Sequence, residues 1–422
     1  MSSTRKVVSA RIRDVELKLP EDSPRRRPEE KAAARGEMAR RFREFNWSAT
    51  PIGPVEFWPE SWRNAVQIIL DSSFPTALAI GRELIYFYND AFIPLAGASR
   101  HPAALGLPVP VAWKEIWEEI LSPRFAHTLS TGEPTGEADL LMPLERSGYL
   151  EETYLTFSFA ALRDDHNQPN GIFCTAIENT ARVIAERQIN CLRALAARSS
   201  FAETPEAACQ SAVATLEGSP RDLPFALLYL LDKTGKQAHL AGTAGLVSIP
   251  RGVKTTVDLV DSSKCAIARV ATTRTVVLMD NVQPVIQGLV RTPEVTPQQA
   301  LALPVLNPGG EHLAAVLIVG VNPMRPLEES RAFHELVANH LETAISSARA
   351  KQHVRERAQA LAELDRAKTM FFSNISHELR TPLTLLLAPL DDLLTRTTLD
   401  DNDRSLLEIA RRGGARLLKL VN

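Results

Sequence analysis

The stretch Phe371-Phe372-Ser373-Asn374-Ile375-Ser376-His377-Glu378-Leu379-Arg380-Thr381-Pro382-Leu383 decides the fold of the C-terminal part of this chain. Its apolar residues recur three or four positions apart, which is the spacing of one face of an α-helix. Within this pattern a histidine is followed at once by a carboxylate and then by Arg-Thr-Pro. The stretch therefore predicts a helix that carries a candidate nucleophile with polar neighbours.

The chemistry of this stretch centres on His377. A neutral imidazole is a good nucleophile toward a phosphoryl group, and that reaction needs in-line placement and charge stabilisation more than covalent help. Thr381 lies four residues on and on the same helix face, where its hydroxyl could position a water. Glu378 is the next residue, and adjacent residues of a helix do not face each other. Arg380 could pair with phosphate or face solvent.

Pro382 adds a structural prediction just after the histidine. Proline lacks the backbone N–H and clashes with the carbonyl four residues before it, here that of Glu378. Pro389 repeats the effect two turns later. We therefore expect the helix to bend past His377, or else to tolerate both prolines at the surface of a bundle.

The stretch resembles the phospho-acceptor box of the sensor histidine kinases of two-component systems. The resemblance implies that His377 accepts a phosphoryl group from ATP and passes it to an aspartate of a response-regulator receiver domain. It also implies that Glu378 acts as general base, and that Glu378 and Thr381 together support phosphatase activity toward the regulator. ATP with Mg²⁺ is the expected cofactor of the complete kinase.

The residues after the box predict a helical hairpin. One apolar stripe comprises Leu379, Leu383, Leu386, Leu387, Leu390, Leu393 and Leu394. A turn with helix-cap chemistry follows at Thr397–Asp403. A second stripe comprises Leu406, Ile409, Ala410, Leu417 and Leu420. Because a lone hairpin cannot bury such stripes, pairing of two copies into a four-helix bundle predicts a homodimer.

Two mixed units are predicted upstream of the hairpin. In the first, a helix near Ser61–Leu70 precedes two hairpins, at Leu78–Phe87 and Leu155–Ala176, and this order resembles a PAS domain. In the second, a helix near Ala207–Leu216 and a buried strand at Phe225–Leu231 precede a late hairpin, and this order resembles a GAF domain. The expected fold class is therefore α+β, with PAS-like and GAF-like antiparallel sheets joined by helices to an all-α hairpin.

These patterns divide the chain into six predicted segments. They are a flexible basic arm at 1–44, a PAS-like sensor unit at 45–180, a linker helix at 181–203, a GAF-like sensor unit at 204–342, a signalling helix at 343–370 and an incomplete phosphotransfer (HisKA) hairpin at 371–422.

Composition excludes several classes of protein. The formal net charge of −2 argues against a general nucleic-acid binder. The four cysteines form no CxxC pair, so no metal site is expected. No apolar run reaches the roughly 18 residues of a membrane span, and the first residues lack a signal-peptide core, which favours a cytoplasmic protein.

The sequence contains no GxxxxGK[ST] and no GxGxxG after a strand, so no ATP site is expected within it. The chain stops at Asn422 inside a predicted helix, and we therefore expect a kinase truncated before its ATP-binding domain. Two alternatives stay open: a non-enzymatic dimeric scaffold that binds a small molecule, and a phospho-acceptor charged in trans. The sensor ligand and its binding residues are unknown at this point.

Overall fold

The computed structural model describes residues 36–199, 201–260, 265–307, 312–395 and 400–421. The chain divides into two units, residues 1–187 and 188–422. The α-helices are α1 Glu37–Glu44, α2 Glu60–Asp71, α3 Ile93–Arg100, α4 Val109–Ala112, α5 Lys114–Ile116, α6 Ser122–Thr131, α7 Thr180–Ser199, α8 Pro205–Leu216, α9 Ala266–Thr273, α10 Gln283–Ile286, α11 Leu327–Thr395 and α12 Asp401–Val421. The strands are β1 Thr76–Ile80, β2 Ile85–Tyr88, β3 Thr135–Leu141, β4 Leu144–Glu145, β5 Leu150–Glu151, β6 Tyr154–Arg163, β7 Pro169–Glu178, β8 Ala226–Leu231, β9 Gln237–Ala244, β10 Thr256–Asp258, β11 Val277–Met279, β12 Ala300–Leu306 and β13 Leu313–Gly320.

The first unit is built on a five-stranded antiparallel sheet in the order β2-β1-β7-β6-β3. Both predicted hairpins are confirmed: Ile80 pairs with Ile85 across the first turn, and Ala161 pairs with Ile172 across the second pair of strands. Strands β1 and β2 are buried along their whole length, because β7 and the helices cover them. The PAS character of this unit stays a prediction.

The N-terminal arm predicted at 1–44, which was expected to end in a short helix, ends in α1. Residues 1–35 lie outside the described part, but α1 packs Met38 and Phe42 against the core of the first unit. The carboxylate of Asp90 accepts a hydrogen bond from the backbone N–H of Met38 at 2.7 Å, which caps the helix. The folded unit therefore includes α1. A polar segment with only three apolar residues on one face gave little sign of this packing.

The second unit is built on a six-stranded antiparallel sheet in the order β10-β9-β8-β13-β12-β11. The predicted strand at Phe225–Leu231 and the late hairpin are confirmed as β8, β12 and β13; the middle of the turn between β12 and β13 lies outside the described residues. Helix α8 and the first part of α11 pack on the sheet, so the predicted succession of helix, antiparallel sheet and helix is confirmed.

A single helix, α11, runs through three of the predicted segments. The closing helix of the second unit, the signalling helix and the first helix of the hairpin run on without a break from Leu327 to Thr395. No glycine occurs in this range, and its first proline is Pro382. The continuity follows from the absence of any stop signal over the first fifteen turns.

Candidate functional site: the helical hairpin around His377

The hairpin consists of the distal part of α11 and of α12. Helix α12 starts after Asp400, whose carboxylate accepts a hydrogen bond from the backbone N–H of Asp403 at 2.7 Å. The cap chemistry predicted for this turn is thus present. Residues 396–399, which complete the predicted turn, lie outside the described part.

An internal seam holds the two helices together. Leu383, Leu387 and Leu394 are half-buried on α11, as is Leu407 on α12. A Cβ built on Gly414 would lie 2.9 Å from Cδ2 of Leu387, so the glycine allows the two helices to approach closely. At Gly414 the small residue therefore serves helix packing.

A second apolar stripe remains exposed in the single chain. On α11 it repeats every seven residues, and on α12 it follows a spacing of three, eight and three. Its members are Phe372, Leu379, Leu386 and Leu393 on α11, and Leu406, Ile409, Leu417 and Leu420 on α12. Apolar stripes along amphipathic helices, such as the seven-residue repeat of α11, pack against one another in helical bundles. The single hairpin thus leaves these eight apolar side chains exposed.

His377 lies on the outer face of α11 and is exposed. It follows Phe372 by five residues, which places it about 140° around the helix axis from the exposed stripe. Thr381 lies one turn further on the same face, and its hydroxyl donates a hydrogen bond to the carbonyl oxygen of His377 at 3.3 Å. A bundle formed through the stripe would therefore leave the imidazole and the Thr381 hydroxyl open to a second domain.

The other predicted site residues are also exposed on α11. Glu378 lies about 100° around the axis from His377, and within the described residues the two side chains form no hydrogen bond with each other. The helix therefore brings together His377 and Thr381 but not the imidazole and the carboxylate of Glu378. Arg380 is exposed as well.

The prolines do not end the helix. Helix α11 continues through Pro382 and Pro389, although each removes a hydrogen bond to the turn before it. Next to Pro382, the hydroxyl of Thr384 donates to the carbonyl of Arg380 at 2.8 Å. Threonine hydroxyls that bond back in this way favour slight bending. The bend itself stays a prediction.

Two cavities that the sequence did not reveal lie in the upstream units. One, of about 60 Å³, is in the core of the first unit, and one of about 510 Å³ lies on the second sheet beside Tyr229, Lys254 and Cys265. Their walls come from residues far apart in sequence, so only strand register brings them together. Within the described ranges, no group of three or more His, Cys, Asp or Glu could hold a metal ion. No helix there is long and apolar enough to cross a membrane.

Comparisons with known proteins give a family match in the C-terminal segment and relatives among histidine kinases. Residues 367–422 match the family "His Kinase A (phospho-acceptor) domain". The chain is 47% identical over 74 residues to hybrid signal transduction histidine kinase D of Dictyostelium discoideum, which is 18% of this chain and 5% of that protein. It is 38% identical over 74 residues to sensor histidine kinase TmoS of Ectopseudomonas mendocina, which is 17% of this chain and 8% of that protein. The chain thus spans under a tenth of the length of these relatives.

Solved GAF-domain structures are similar to part of the chain. The GAF domain of a phosphoenolpyruvate-protein phosphotransferase from Coxiella burnetii is 23% identical, with a TM-score of 0.30, over 40% of this chain and 97% of that one. The corresponding domain from Acinetobacter is 17% identical, also with a TM-score of 0.30, over 39% and 95%. The GAF-like arrangement of the second unit rests on its own strand order.

The family match covers His377, and the hairpin has the seam and the exposed stripe that a bundle-forming helix pair requires. Residues 367–422 are therefore similar to the phospho-acceptor domain of histidine kinases.

Proposed function

We propose that this chain is the sensing and phospho-accepting part of a two-component histidine kinase in the cytoplasm. His377 is the residue that takes the γ-phosphoryl group of ATP and passes it to an aspartate of a response-regulator receiver domain. The observation that carries the proposal is the exposed position of His377 within the matched segment, on the face of α11 turned away from the apolar stripe.

The neighbours of His377 have distinct roles in this proposal. Thr381, on the same face, positions the water that hydrolyses the phosphorylated regulator. Glu378 is the general base for His377, and it needs a change of rotamer or of helix geometry to reach the ring. Pro382, one turn past the site, weakens the helix where such a change is needed. Arg380 contacts the transferred phosphate.

A homodimer is part of the same proposal. The stripe formed by Phe372, Leu379, Leu386 and Leu393 on α11 and its counterpart on α12 is exposed in one chain. Burying apolar surface stabilises by roughly 25 cal/mol per Å², so the natural partner for this stripe is the same stripe of a second copy. ATP and Mg²⁺ bind to a separate ATP-binding domain, which phosphorylates the bundle.

The continuous helix α11 supports a route from sensor to site. Its first part is buried in the core of the second unit at Phe333 and Leu341, and the helix continues to His377 without interruption. Binding of a small molecule upstream would shift the packing of α11 and so change access to His377. Ligand affinity in the wild type and in a variant locked in one bundle register tests this coupling; equal affinities would contradict it.

The proposed phosphorylation is tested with labelled ATP and Mg²⁺. The full chain is incubated alone and with an added histidine-kinase ATP-binding domain. We expect acid-labile label only with the added domain, and none in His377→Ala. His353→Ala is the matched control, because it removes an exposed histidine of the same helix outside the matched segment.

Three outcomes of this labelling experiment would change the proposal. Label that survives in His377→Ala would overturn the assignment of the site. No label on a folded dimer with several different ATP-binding domains would favour the scaffold interpretation. Label from an ATP-binding domain that is a separate natural protein would favour charging in trans.

A further inference from the structure

A groove of about 260 Å³ lies between α1 and α2 of the first unit. It is separate from the two sheet cavities, because none of the residues that line it borders either of them. Two helices and the segment between them form its walls, whereas strands form much of the walls of the other two. The groove therefore has an origin of its own.

Helical spacing explains the shape of the groove. On α2, Arg63, Val66 and Leu70 follow one another at three and four residues, which places them on one face of the helix. On α1, Phe42 lies three residues after Ala39 and shares its face in the same way. Each helix thus presents a short apolar stripe to the same space.

The floor of the groove is apolar and belongs to the core of the first unit. Val66 is buried, and Phe42, Val55 and Leu70 are partly buried against the same core cluster. These side chains are packed on the core side and open on the groove side. An apolar group that covered them would remove apolar surface from water, which is favourable.

Two arginines, Arg43 and Arg63, are the charged residues that line the groove. Both are exposed, and in the described part of the protein neither side chain forms an ion pair or a hydrogen bond. Arg41, on the same helix as Arg43, shows the contrast, because its guanidinium donates to the carboxylate of Glu37 at 2.7 Å. The groove therefore has two positive charges that no described carboxylate neutralises.

This combination of groups selects an amphiphilic anion. A guanidinium group presents its N–H donors in a planar fork that matches a carboxylate. A cation would be repelled, and a wholly polar anion would leave the apolar floor in contact with water. The volume is slightly below the roughly 300–1,000 Å³ of pockets that hold drug-sized ligands, so it suits a molecule of about ten to fifteen heavy atoms.

We propose that the groove between α1 and α2 binds a small soluble molecule with an apolar chain and one carboxylate. The chain covers the floor around Phe42, Val66 and Leu70, and the carboxylate pairs with the guanidinium groups of Arg43 and Arg63. Charge complementarity and the open apolar floor carry the proposal. It goes beyond the proposed kinase function, because this binding requires neither His377 nor an ATP-binding domain.

Four probes test the chemical class. Octanoate, 1-octanol and octyltrimethylammonium share one apolar chain and differ in charge, and acetate has the carboxylate without the chain. Binding to the full chain is measured by ligand-observed NMR titration. We expect octanoate to bind about tenfold more tightly than 1-octanol, which is the worth of one hydrogen bond to a charged group. We expect no binding of acetate or of the cation in the groove.

A blocked groove separates this binding from binding in the sheet cavities. Gln67 is exposed on α2 and lines the groove, so Gln67→Trp should fill the space without disturbing the core. Asn64→Trp is the matched control, because Asn64 is exposed on the same helix and does not line the groove. We expect Gln67→Trp to weaken octanoate binding at least tenfold, and Asn64→Trp to leave it unchanged.

A pair of double variants tests the charges. Arg43→Gln with Arg63→Gln should lower the affinity for octanoate to that for 1-octanol and leave the affinity for 1-octanol unchanged. Arg40→Gln with Arg82→Gln removes the same charge from two exposed arginines that do not line the groove. This control should leave both affinities unchanged.

Four results would overturn the proposal. They are no binding of octanoate to the folded wild-type chain, undiminished binding in Gln67→Trp, equal losses in the two double variants, and octanoate binding that appears only in a variant lacking residues 1–35. The last result would assign the groove to the chain's own N-terminal segment. Adsorption to phosphatidylglycerol vesicles that needs Arg43 and Arg63, without octanoate binding, would assign it to a membrane surface instead.

Discussion

The two halves of helix α11 differ in what covers their apolar residues. In the proximal half, from Phe333 to Ala348, apolar side chains recur every three or four residues and are buried in the second unit. In the distal half the apolar repeat continues, but residues such as Leu364, Phe372 and Leu386 are exposed. The same apolar repeat is thus buried in the proximal half and exposed in the distal half, because the burial of a stripe depends on whether another element packs against it. In the proposed homodimer, a second copy covers the distal half, which carries His377.

The largest expected effect comes from breaking the distal stripe. In the double variant Leu379→Lys, Leu386→Lys, two charges on each chain would be buried against their copies. We expect at least a hundredfold weaker dimerisation, measured by sedimentation, and loss of His377 labelling with it. Leu385→Lys is the control, since this leucine is as exposed as Leu386 but lies off the stripe. Equal weakening by the control would show that the stripe is not the contact.

Breaking the proximal half should affect stability and leave dimerisation unchanged. Leu341 is 1% exposed in the core of the second unit, and Leu336 on the same helix is 50% exposed. We expect Leu341→Ala to lower the unfolding free energy of this unit by about 2–5 kcal/mol. Leu336→Ala should change it by about 0.5 kcal/mol or less. Hydrogen exchange of the β13 amides measures the change in unfolding free energy in both variants. Similar changes for Leu341→Ala and Leu336→Ala would contradict the assigned burial.

A smaller effect should appear as a pH dependence of the proximal half. His334 is fully buried, and its Nε2–H donates to the carbonyl of Asp222 at 2.9 Å. Nearby, Arg325 forms a buried ion pair with Asp222 at 2.8 Å. Burial lowers the pKa of His334 to about 4. Because the unfolded chain takes up this proton near pH 6.5, the stability contribution of neutral His334 is full above that pH. It is lost progressively as the pH falls toward 4.

Because of His334 alone, we expect the free energy of unfolding to fall by roughly 2 kcal/mol between pH 7.5 and pH 5. It is measured as the difference in pH dependence between the wild type and His334→Gln, by hydrogen exchange of β13. His353→Gln, in the exposed distal half, serves as the control and should follow the wild type. A steeper acid loss in His334→Gln than in the wild type would contradict the sign of the shift.

Local patterns were enough to predict many of the regular elements. Alternation and turn residues gave both hairpins of the first unit, and the resemblance of the residues around His377 to a phospho-acceptor box agrees with the family match at 367–422. These features depend on residues close together in sequence. The position of Thr381 on the His377 face also follows from helix geometry alone. The roles of the individual site residues stay predictions.

Features that depend on distant residues were not predicted. The docking of α1 depends on Asp90, more than fifty residues away, and the core cavity of the first unit depends on the register of three strands. The burial of His334 was not predicted either, because nothing in the local sequence distinguishes it from a solvent-exposed histidine on a helix.

The central claim is that a second copy covers the distal stripe and leaves the His377 face open. It is tested most directly by the reactivity of cysteines introduced as Leu386→Cys and Leu385→Cys in the full chain. In one chain these positions are 63% and 69% exposed, so a monomer would react equally at both with a thiol reagent. We expect strong protection at position 386, free reaction at 385, and loss of the protection when Leu379→Lys is added. Equal, fast reaction at both positions in the wild-type background would contradict it.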